Sequence, residues 1–235
     1  MSAQAQGQPQ EIELPGEGVD IKAFARRFGN FTEYAYYYIR TKLWMDPLYP
    51  AVFSELRGRD LPLLDLGCGM GVLAFYLRER GYRPPILGID YDPRKIRSAR
   101  GVAVDYAKVE FQEGDARRSP LEFAGDVTIL DILQFFTEAD QRAILEGAAA
   151  AARRADGRGK VVIRSTVQDE SMRFRVSRTG DQFAKLTFWM KDHPTEYPTL
   201  HSLEAPFLEA GFKSMIRPCW GKTRFNNYLL VFTQE

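Results

Sequence analysis

The sequence lacks an excess of either charge and lacks long apolar runs. Lys and Arg total 32 against 31 Asp and Glu, which leaves a net charge of +1. Dedicated nucleic-acid binders usually show a clear basic excess, so we expect no nucleic-acid partner. No apolar run approaches the roughly 18 residues of a membrane-spanning helix, so we expect no membrane span either.

Cysteine and histidine are scarce, with two of each among 235 residues. Cys68 and Cys219 cannot build a disulfide framework, and the segment MSAQAQGQPQ has neither the basic nor the apolar stretch of a secretory signal. We therefore expect a reduced, cytoplasmic protein. A chain of this length buries roughly 70–75% of its unfolded surface, so it needs no metal for stability, and we predict no metal site.

Composition divides the chain into three parts. Residues 1–20 are rich in Gln, Gly, Pro and Glu and contain no Lys or Arg, which predicts a disordered tail. Residues 21–57 predict an N-terminal helical cap, because aromatic side chains recur there at steps of about three and four residues. Residues 58–235 form the third part. Within it, a charged and aromatic stretch at about 169–200 predicts a helical lid insertion.

Predicted strands and helices alternate through the centre of the chain. Strands are predicted at 61–66, 85–90, 108–115, 126–133 and 159–166, and helices at 70–80, 93–105 and 138–154. This alternation predicts an α/β fold with a doubly wound, mostly parallel sheet. A further helix is predicted at 203–210. The segments FKSMIRPCW and NNYLLVFTQ, separated by GKTRF, then predict a terminal β-hairpin.

Acidic and glycine-rich elements follow the predicted strands. Glycine allows a tight turn and a close approach of the backbone to a ligand, and open α/β sheets bind ligands at the carboxyl ends of their strands. The elements are Asp65, Gly67, Gly69 and Gly71 in LLDLGCGMG, Asp90, Asp115 with Ala116, and Asp131.

Two ligand classes are compatible with a glycine turn of this kind. Residues 69–74 match Gly-x-Gly-x-x-Ala, which is a dinucleotide pattern. A dinucleotide site favours helix N–H groups that face a pyrophosphate. Here the acids recur at successive strand ends instead, which suits a cationic ligand without phosphate, and S-adenosylmethionine is such a ligand.

With these motifs, the segment 61–135 resembles the class I S-adenosylmethionine-dependent methyltransferases. The resemblance implies a seven-stranded, mostly parallel Rossmann-like sheet with an antiparallel last strand, and S-adenosyl-L-methionine as cofactor. It also implies roles for individual residues. Gly67, Gly69 and Gly71 would wrap the methionine part, Asp65 would hold its ammonium group, Asp90 would accept the ribose hydroxyls, Tyr91, Asp115 and Ala116 would contact the adenine, and Asp131 matches the acid of the fourth motif.

Some cofactor contacts have an alternative interpretation. The cofactor's carboxylate needs a donor, and Arg40 and Lys42 on the basic N-terminal helix are the candidates. A solvated, charged helix face explains both residues equally well. Tyr91 has ordinary packing as its alternative role.

The acceptor side departs from the family pattern. Many relatives have Asp-x-x-His where this chain has Asp131-Ile-Leu-Gln134, and Gln134 cannot act as a base. The segment also lacks the Asn/Asp-Pro-Pro-aromatic motif of enzymes that methylate amino groups of nucleic acids, which favours a small-molecule or carrier-bound acceptor. Tyr37 and Trp189 are candidate substrate contacts, with plain packing as the alternative. His193 is the candidate catalytic base, with an exposed loop histidine as the alternative.

The two ends of the chain carry a narrower resemblance. The segments YYYIRTKLWMDPLYPAV and PCWGKTRFNNYLLVF are similar to bacterial methyltransferases of aryl polyene or related pigment and lipid biosynthesis clusters. This implies an aromatic or polyketide-like acceptor, carried on an acyl carrier protein. The N-terminal segment 21–42 indicates an acidic carrier protein as a partner, because it holds five basic residues against one acid, Glu33. The competing hypothesis is a non-catalytic partner that keeps the methyltransferase fold for a biosynthetic assembly.

Overall fold

A seven-stranded mixed sheet forms the centre of the computed structural model, which describes residues 18–28, 33–118, 122–177 and 196–234. The spatial order of the strands is β3-β2-β1-β4-β5-β7-β6. In chain order they are β1 (Leu63–Leu66), β2 (Ile86–Asp90), β3 (Val109–Glu113), β4 (Asp126–Leu130), β5 (Lys160–Thr166), β6 (Lys213–Pro218) and β7 (Asn227–Thr233).

The strand directions confirm the predicted fold class. Strand β1 pairs in parallel with β2 on one side and with β4 on the other, and β2–β3 and β4–β5 are parallel as well. Strand β7 runs antiparallel to both β5 and β6. The predicted terminal hairpin is therefore confirmed, and β7 inserts between β5 and β6.

The helices follow the predicted boundaries to within a few residues. They are α1 (Ile21–Arg26), α2 (Glu33–Met45), α3 (Leu48–Leu56), α4 (Val72–Glu79), α5 (Pro93–Ala103), α6 (Glu138–Arg153) and α7 (Leu200–Glu209). Helix α5 begins as predicted, with Asp92 accepting from the N–H of Arg94 and Pro93 in the first turn. Helix α7 begins earlier than predicted, because Thr199 and Ser202 form a capping box.

Two predicted elements were too long for a physical reason. The fourth strand ends at Leu130 rather than at residue 133, because Asp131 adopts a φ of 58° that no extended strand contains. The following residues Leu133–Phe135 form a short 3-10 helix instead. Helix α4 begins at Val72 rather than at residue 70, because Gly71 has a φ of 76°.

Apolar side chains fill both faces of the sheet, as a doubly wound fold requires. One cluster joins α1–α5 to the sheet and includes Phe28, Ile39 and Phe75, all of which are almost fully buried. The other cluster joins α6 and α7 to the opposite face, where the rings of Phe207 and Phe232 stack with centroids 3.9 Å apart. The three N-terminal helices are thus part of the core of the molecule.

Some predicted regions lie outside the described residues. Most of the predicted tail (1–17) and most of the lid insertion (178–195) belong to them, and residues 172–177 of the insertion are helical. Within the described ranges, no helix is both long and apolar enough to cross a membrane.

A buried ionic cluster connects the N-terminal helices to the sheet. Arg164 on β5 is 2% exposed, and it donates through Nη1 to Asp46 at 2.6 Å and through Nε to Asp131 at 2.7 Å. Its Nη2 also donates to Asp131. Lys42 of α2 completes the cluster with its Nζ 3.3 Å from Asp131 Oδ2. The two cations and the two anions balance, so the cluster carries no net charge.

We expect Arg164→Met to destabilise the protein by about 3–5 kcal/mol, because it leaves two buried carboxylates without their main partner. Arg142→Met is the matched control. Arg142 is exposed on α6 and also pairs with two acids, Glu146 and Glu209, at 2.8 Å and 2.6 Å. The control should cost at most about 1 kcal/mol. Urea unfolding of both variants checks this, and equal losses would contradict it.

Candidate functional site

The glycine turn between β1 and α4 exposes backbone toward the carboxyl end of the sheet. Gly69 has a φ of 59°, and a Cβ at this position would meet no described atom within 4 Å. A Cβ on Gly71 would instead lie 2.4 Å from Phe111 Cζ. Gly71 is therefore required for packing, whereas Gly69 leaves space that a ligand can fill.

Asp90, at the end of β2, holds the glycine turn in place. Its Oδ2 accepts from the N–H of Gly69 and its Oδ1 from the N–H of Asp92, both at 2.9 Å. The carboxylate is 6% exposed and lines the same cavity as Gly69. Each oxygen keeps one acceptor position after these bonds, so Asp90 can accept from two further donors.

Asp65 is the third of the four buried residues of β1. Its carboxyl has no cationic partner among the described residues. It is 2% exposed and accepts from Thr128 Oγ1 at 2.8 Å. Burial, with a smaller contribution from the charge of Asp90, raises the pKa of Asp65 to about 7, against the opposing effect of the Thr128 hydrogen bond. A cationic group in the cavity would therefore favour the ionised form of this carboxyl.

The third strand end differs from the first two, because its acid already has a strong partner. Arg117 donates to both oxygens of Asp115, and this hydrogen bonding holds the pKa of Asp115 below its usual value. Arg117 also lies 3.7 Å from Asp140. Ala116 is buried, and Tyr91 is 49% exposed beside it along the cavity wall.

A single large cavity joins these strand ends. Its volume of about 1320 Å³ exceeds the roughly 300–1,000 Å³ of a typical small-molecule site. The structure therefore provides room for two ligands side by side. The predicted residues that line the cavity are Tyr37, Lys42, Asp65, Gly67, Gly69, Asp90, Tyr91, Asp115, Ala116, Asp131 and Gln134.

Two other predicted residues do not line the cavity, and two more lie outside the described residues. Gly71 lies behind the turn against Phe111. Arg40 is exposed on a different side of α2 from Tyr37, Thr41 and Lys42, which line the cavity at helical spacing. Of the two predicted donors to the cofactor's carboxylate, Lys42 therefore lines the cavity and Arg40 does not. His193 and Trp189 lie outside the described residues, so their roles stay predictions.

Lys42 and Asp131 form an ion pair in the wall of the cavity. Burial alone would raise the pKa of Asp131, but attraction to Arg164 and Lys42 outweighs it and holds the pKa at about 2. Burial alone would lower the pKa of Lys42, but the surrounding tyrosines and carboxylates raise it above its ordinary value. Both groups stay charged at neutral pH, so neither serves as a proton acceptor or donor there.

Gln134 lines the cavity and keeps a buried hydrogen-bond acceptor without a donor among the described residues. Its Nε2 donates to the backbone oxygen of Asp131 at 3.1 Å. The side chain is 7% exposed, and its buried Oε1 has no donor among the described residues. An acceptor atom left in this state costs free energy unless a ligand supplies the donor.

Sequence reasoning missed Asp46, Thr128 and Arg164, which fix the charge state of the site. Arg164 had a signal in the sequence, because it is a charged residue inside the apolar strand segment VVIRST. A buried strand residue of this kind requires partners. It also missed Lys222 and Arg224, which line the cavity from the turn between β6 and β7.

We expect the stability of Asp65→Asn relative to wild type to depend on pH. The native state holds the Asp65 proton up to about pH 7, whereas the unfolded chain releases it near the ordinary value of 3.8, so wild-type stability falls between these values as pH rises. The advantage of the variant should grow by about 1.4 kcal/mol per pH unit from pH 5 and level off above pH 7.

Urea unfolding at pH 5, 6, 7 and 8 measures this difference. Asp105→Asn is the control, since it makes the same chemical change at an exposed position. A difference between Asp65→Asn and wild type that does not vary with pH would contradict the raised pKa.

Comparisons with known proteins agree with the geometry of the sheet. Residues 63–155 match the protein family described as "Methyltransferase domain". No curated protein sequence matches the chain. Among solved structures, the chain is similar to magnesium protoporphyrin IX methyltransferase from Synechocystis PCC 6803 with bound SAH. The identity is 17% and the TM-score 0.64, over 89% of this chain and 94% of that chain.

Two further structures share the fold. An O-methyltransferase family protein from Burkholderia thailandensis is 20% identical with a TM-score of 0.62, over 83% of this chain and 57% of that chain. A SAM-dependent methyltransferase from Methanosarcina mazei is 18% identical with a TM-score of 0.57, over 78% of this chain and 96% of that chain. Residues 63–155 therefore match the methyltransferase domain that the sequence predicts, and the chain shares its fold with these three structures.

Proposed function

We propose that this protein transfers a methyl group from S-adenosyl-L-methionine to a small-molecule or carrier-bound acceptor. The observation that carries the proposal is the single cavity with two chemically different ends. One end lies at β1, β2 and β3 and presents Asp65, Asp90 and Gly69. The other end lies at β4, β5 and α2 and presents Gln134 and a group of aromatic side chains.

The first end fits the cofactor by charge and by shape. Asp65 supplies an acid without a cationic partner for the ammonium group, and Asp90 has two acceptor positions for the ribose hydroxyls. The open space beside Gly69 suits the close approach of the methionine part. When bound, the cofactor supplies a methyl group activated by the positive charge of its sulfur.

We infer the contacts to the cofactor's adenine and carboxylate from the hydrogen-bonding positions that Asp115 and Lys42 have left after their contacts within the protein. Asp115 is held by Arg117, so we propose that it accepts from the adenine amino group with the oxygen positions that Arg117 leaves. We propose Lys42 as the donor to the cofactor's carboxylate. Lys42 lines the cavity from α2, and its ammonium group has three donors, of which Asp131 occupies one.

The second end fits an aromatic acceptor that carries a hydrogen-bond donor. Tyr34, Tyr37, Tyr38 and Phe225 line it, and aromatic walls of this kind bind planar, apolar groups. We propose that the hydroxyl or amine that receives the methyl group donates to Gln134 Oε1. This contact orients the acceptor toward the cofactor, and positioning of the two reactants supplies much of the catalysis.

The narrower resemblance to methyltransferases of aryl polyene or related pigment and lipid clusters supports this choice of acceptor. We infer an aromatic or polyketide-like acceptor, delivered by an acidic acyl carrier protein. The exposed basic residues of α1 and α2, which include Lys22, Arg26 and Arg40, suit an acidic partner, since opposite charges steer association.

We expect Asp90→Ala to weaken binding of S-adenosylhomocysteine by about 10²-fold or more, because two hydrogen bonds to a charged acceptor are lost. Isothermal titration calorimetry measures the affinity. Asp105→Ala is the control, since it removes an exposed acid outside the cavity and should bind normally. An unchanged affinity in a folded Asp90→Ala protein would rule out the ribose assignment.

The alternative function is a non-catalytic partner in a biosynthetic assembly. Both hypotheses predict binding of S-adenosylhomocysteine, so activity has to separate them. Incubation with radiolabelled S-adenosylmethionine and extracts of cells lacking the protein tests for transfer. Label in an extracted small molecule or on a carrier protein supports the enzyme, and its absence at full cofactor occupancy supports the non-catalytic hypothesis.

We propose His193 as the base that takes the acceptor's proton. His193→Ala should then slow turnover by about 10²–10⁴-fold and leave affinity for S-adenosylhomocysteine unchanged. The loss should shrink for acceptors of lower pKa, because their protons leave more easily. A ratio of wild-type to variant turnover near one for every acceptor would remove His193 from the mechanism.

A further inference from the structure

Two basic side chains at the acceptor end of the cavity have no acidic partner among the described residues. They are Lys222 and Arg224, on the turn between β6 and β7. The ammonium group of Lys222 lies 4.9 Å from the ring centroid of Trp44, and no described carboxylate pairs with either side chain. The other basic residues of this end, Lys42 and Arg164, are both ion-paired.

The turn that carries these two residues is fixed against the N-terminal helices. Gly221 has a φ of 55°, and a Cβ there would lie 2.4 Å from Pro47 Cδ. The N–H of Lys222 donates to the oxygen of Met45 at 3.3 Å. Arg173 donates to the oxygen of Thr223 at 3.3 Å. The backbone of Lys222 therefore has a defined position on the cavity wall.

The charges at the acceptor end do not balance. Its acidic lining residues are Asp46 and Asp131, and Arg164 and Lys42 neutralise both. Asp140 also lines the cavity, and Arg117 of the other end lies 3.7 Å from it. Lys222 and Arg224 therefore leave this end with two uncompensated positive charges. A cleft with one sign of charge and partly apolar walls concentrates ligands of the opposite sign.

We infer that the acceptor carries an anionic group, a carboxylate or a phosphate, which Lys222 and Arg224 bind while the methyl-accepting group donates to Gln134. This inference rests on the proposed function, since it assigns the substrate class of the same cavity. Guanidinium and ammonium groups bind both anions, so the two chemistries share one site. Lys222 and Arg224 thus act as specificity-determining residues.

Three phenols test the inference with S-adenosylhomocysteine-loaded protein. They are 4-hydroxycinnamate, 4-hydroxyphenyl phosphate and the neutral 4-hydroxycinnamamide, and calorimetry gives their affinities. Wild type should bind at least one of the two anions about tenfold more tightly than the amide, and added salt should reduce this preference. Whichever anion binds more tightly identifies the group.

The double variant Lys222→Gln/Arg224→Gln should lose the preference and bind the amide as wild type does. Arg153→Gln/Arg154→Gln is the matched control, because it removes the same charge from exposed positions at the end of α6. The control should keep the preference.

Several results would overturn the inference. They are equal affinity of wild type for anions and amide, failure of both anions to bind, or a preference that survives in the double variant. Weaker binding of S-adenosylhomocysteine by the double variant would overturn it too, since the two cations would then serve the cofactor. Failure of wild type to bind S-adenosylhomocysteine would instead contradict the proposed function.

Discussion

The site depends on the buried guanidinium of Arg164. This group connects β5 to Asp131 at the end of β4 and to Asp46 at the start of α3. Asp46 in turn accepts from the N–H of Leu48 and so orients the first turn of α3. Without Arg164, Asp46 and Asp131 would keep only Lys42 as a cationic partner, at 4.0 Å and 3.3 Å. Losing the main partner of two buried carboxylates is far more costly than losing a surface ion pair. The same contacts place α2 and its aromatic residues over the cavity.

Asp65 shows the opposite arrangement a short distance away. Its carboxyl is equally buried, but its hydrogen bond comes from the neutral hydroxyl of Thr128, and its pKa is raised to about 7. The free protein is therefore less stable near neutral pH than it would be with a neutral side chain here. A cationic ligand removes this disadvantage, because it supplies the positive partner that Asp65 lacks among the described residues. Asp131 is paired with Arg164 and Lys42, whereas Asp65 has no cationic partner among the described residues.

Among the described residues, the cavity thus combines a proposed cofactor end whose acids Asp65 and Asp90 lack a cationic partner with a proposed acceptor end whose cations Lys222 and Arg224 lack an acidic partner. This separation suits two ligands of opposite local charge that must meet at one point. Gln134 lies at the acceptor end, with one hydrogen bond to the backbone of Asp131 and one buried oxygen without a described donor. A neutral amide at this position orients an acceptor without adding charge, so proton removal requires another group.

The sequence by itself determined the sheet, the glycine turn and the acids at the strand ends. These features depend on local patterns. Parallel strands bring their carboxyl ends to the same edge of the sheet, and this does not depend on the conformation of the loops. Tertiary structure alone decided which charges are paired. Arg164 meets Asp46 across 118 positions of the chain, and Lys42 meets Asp131 across 89. It also decided that Lys42 rather than Arg40 reaches the cavity, because the phase of α2 is set by its packing on the core. No local pattern contains that information.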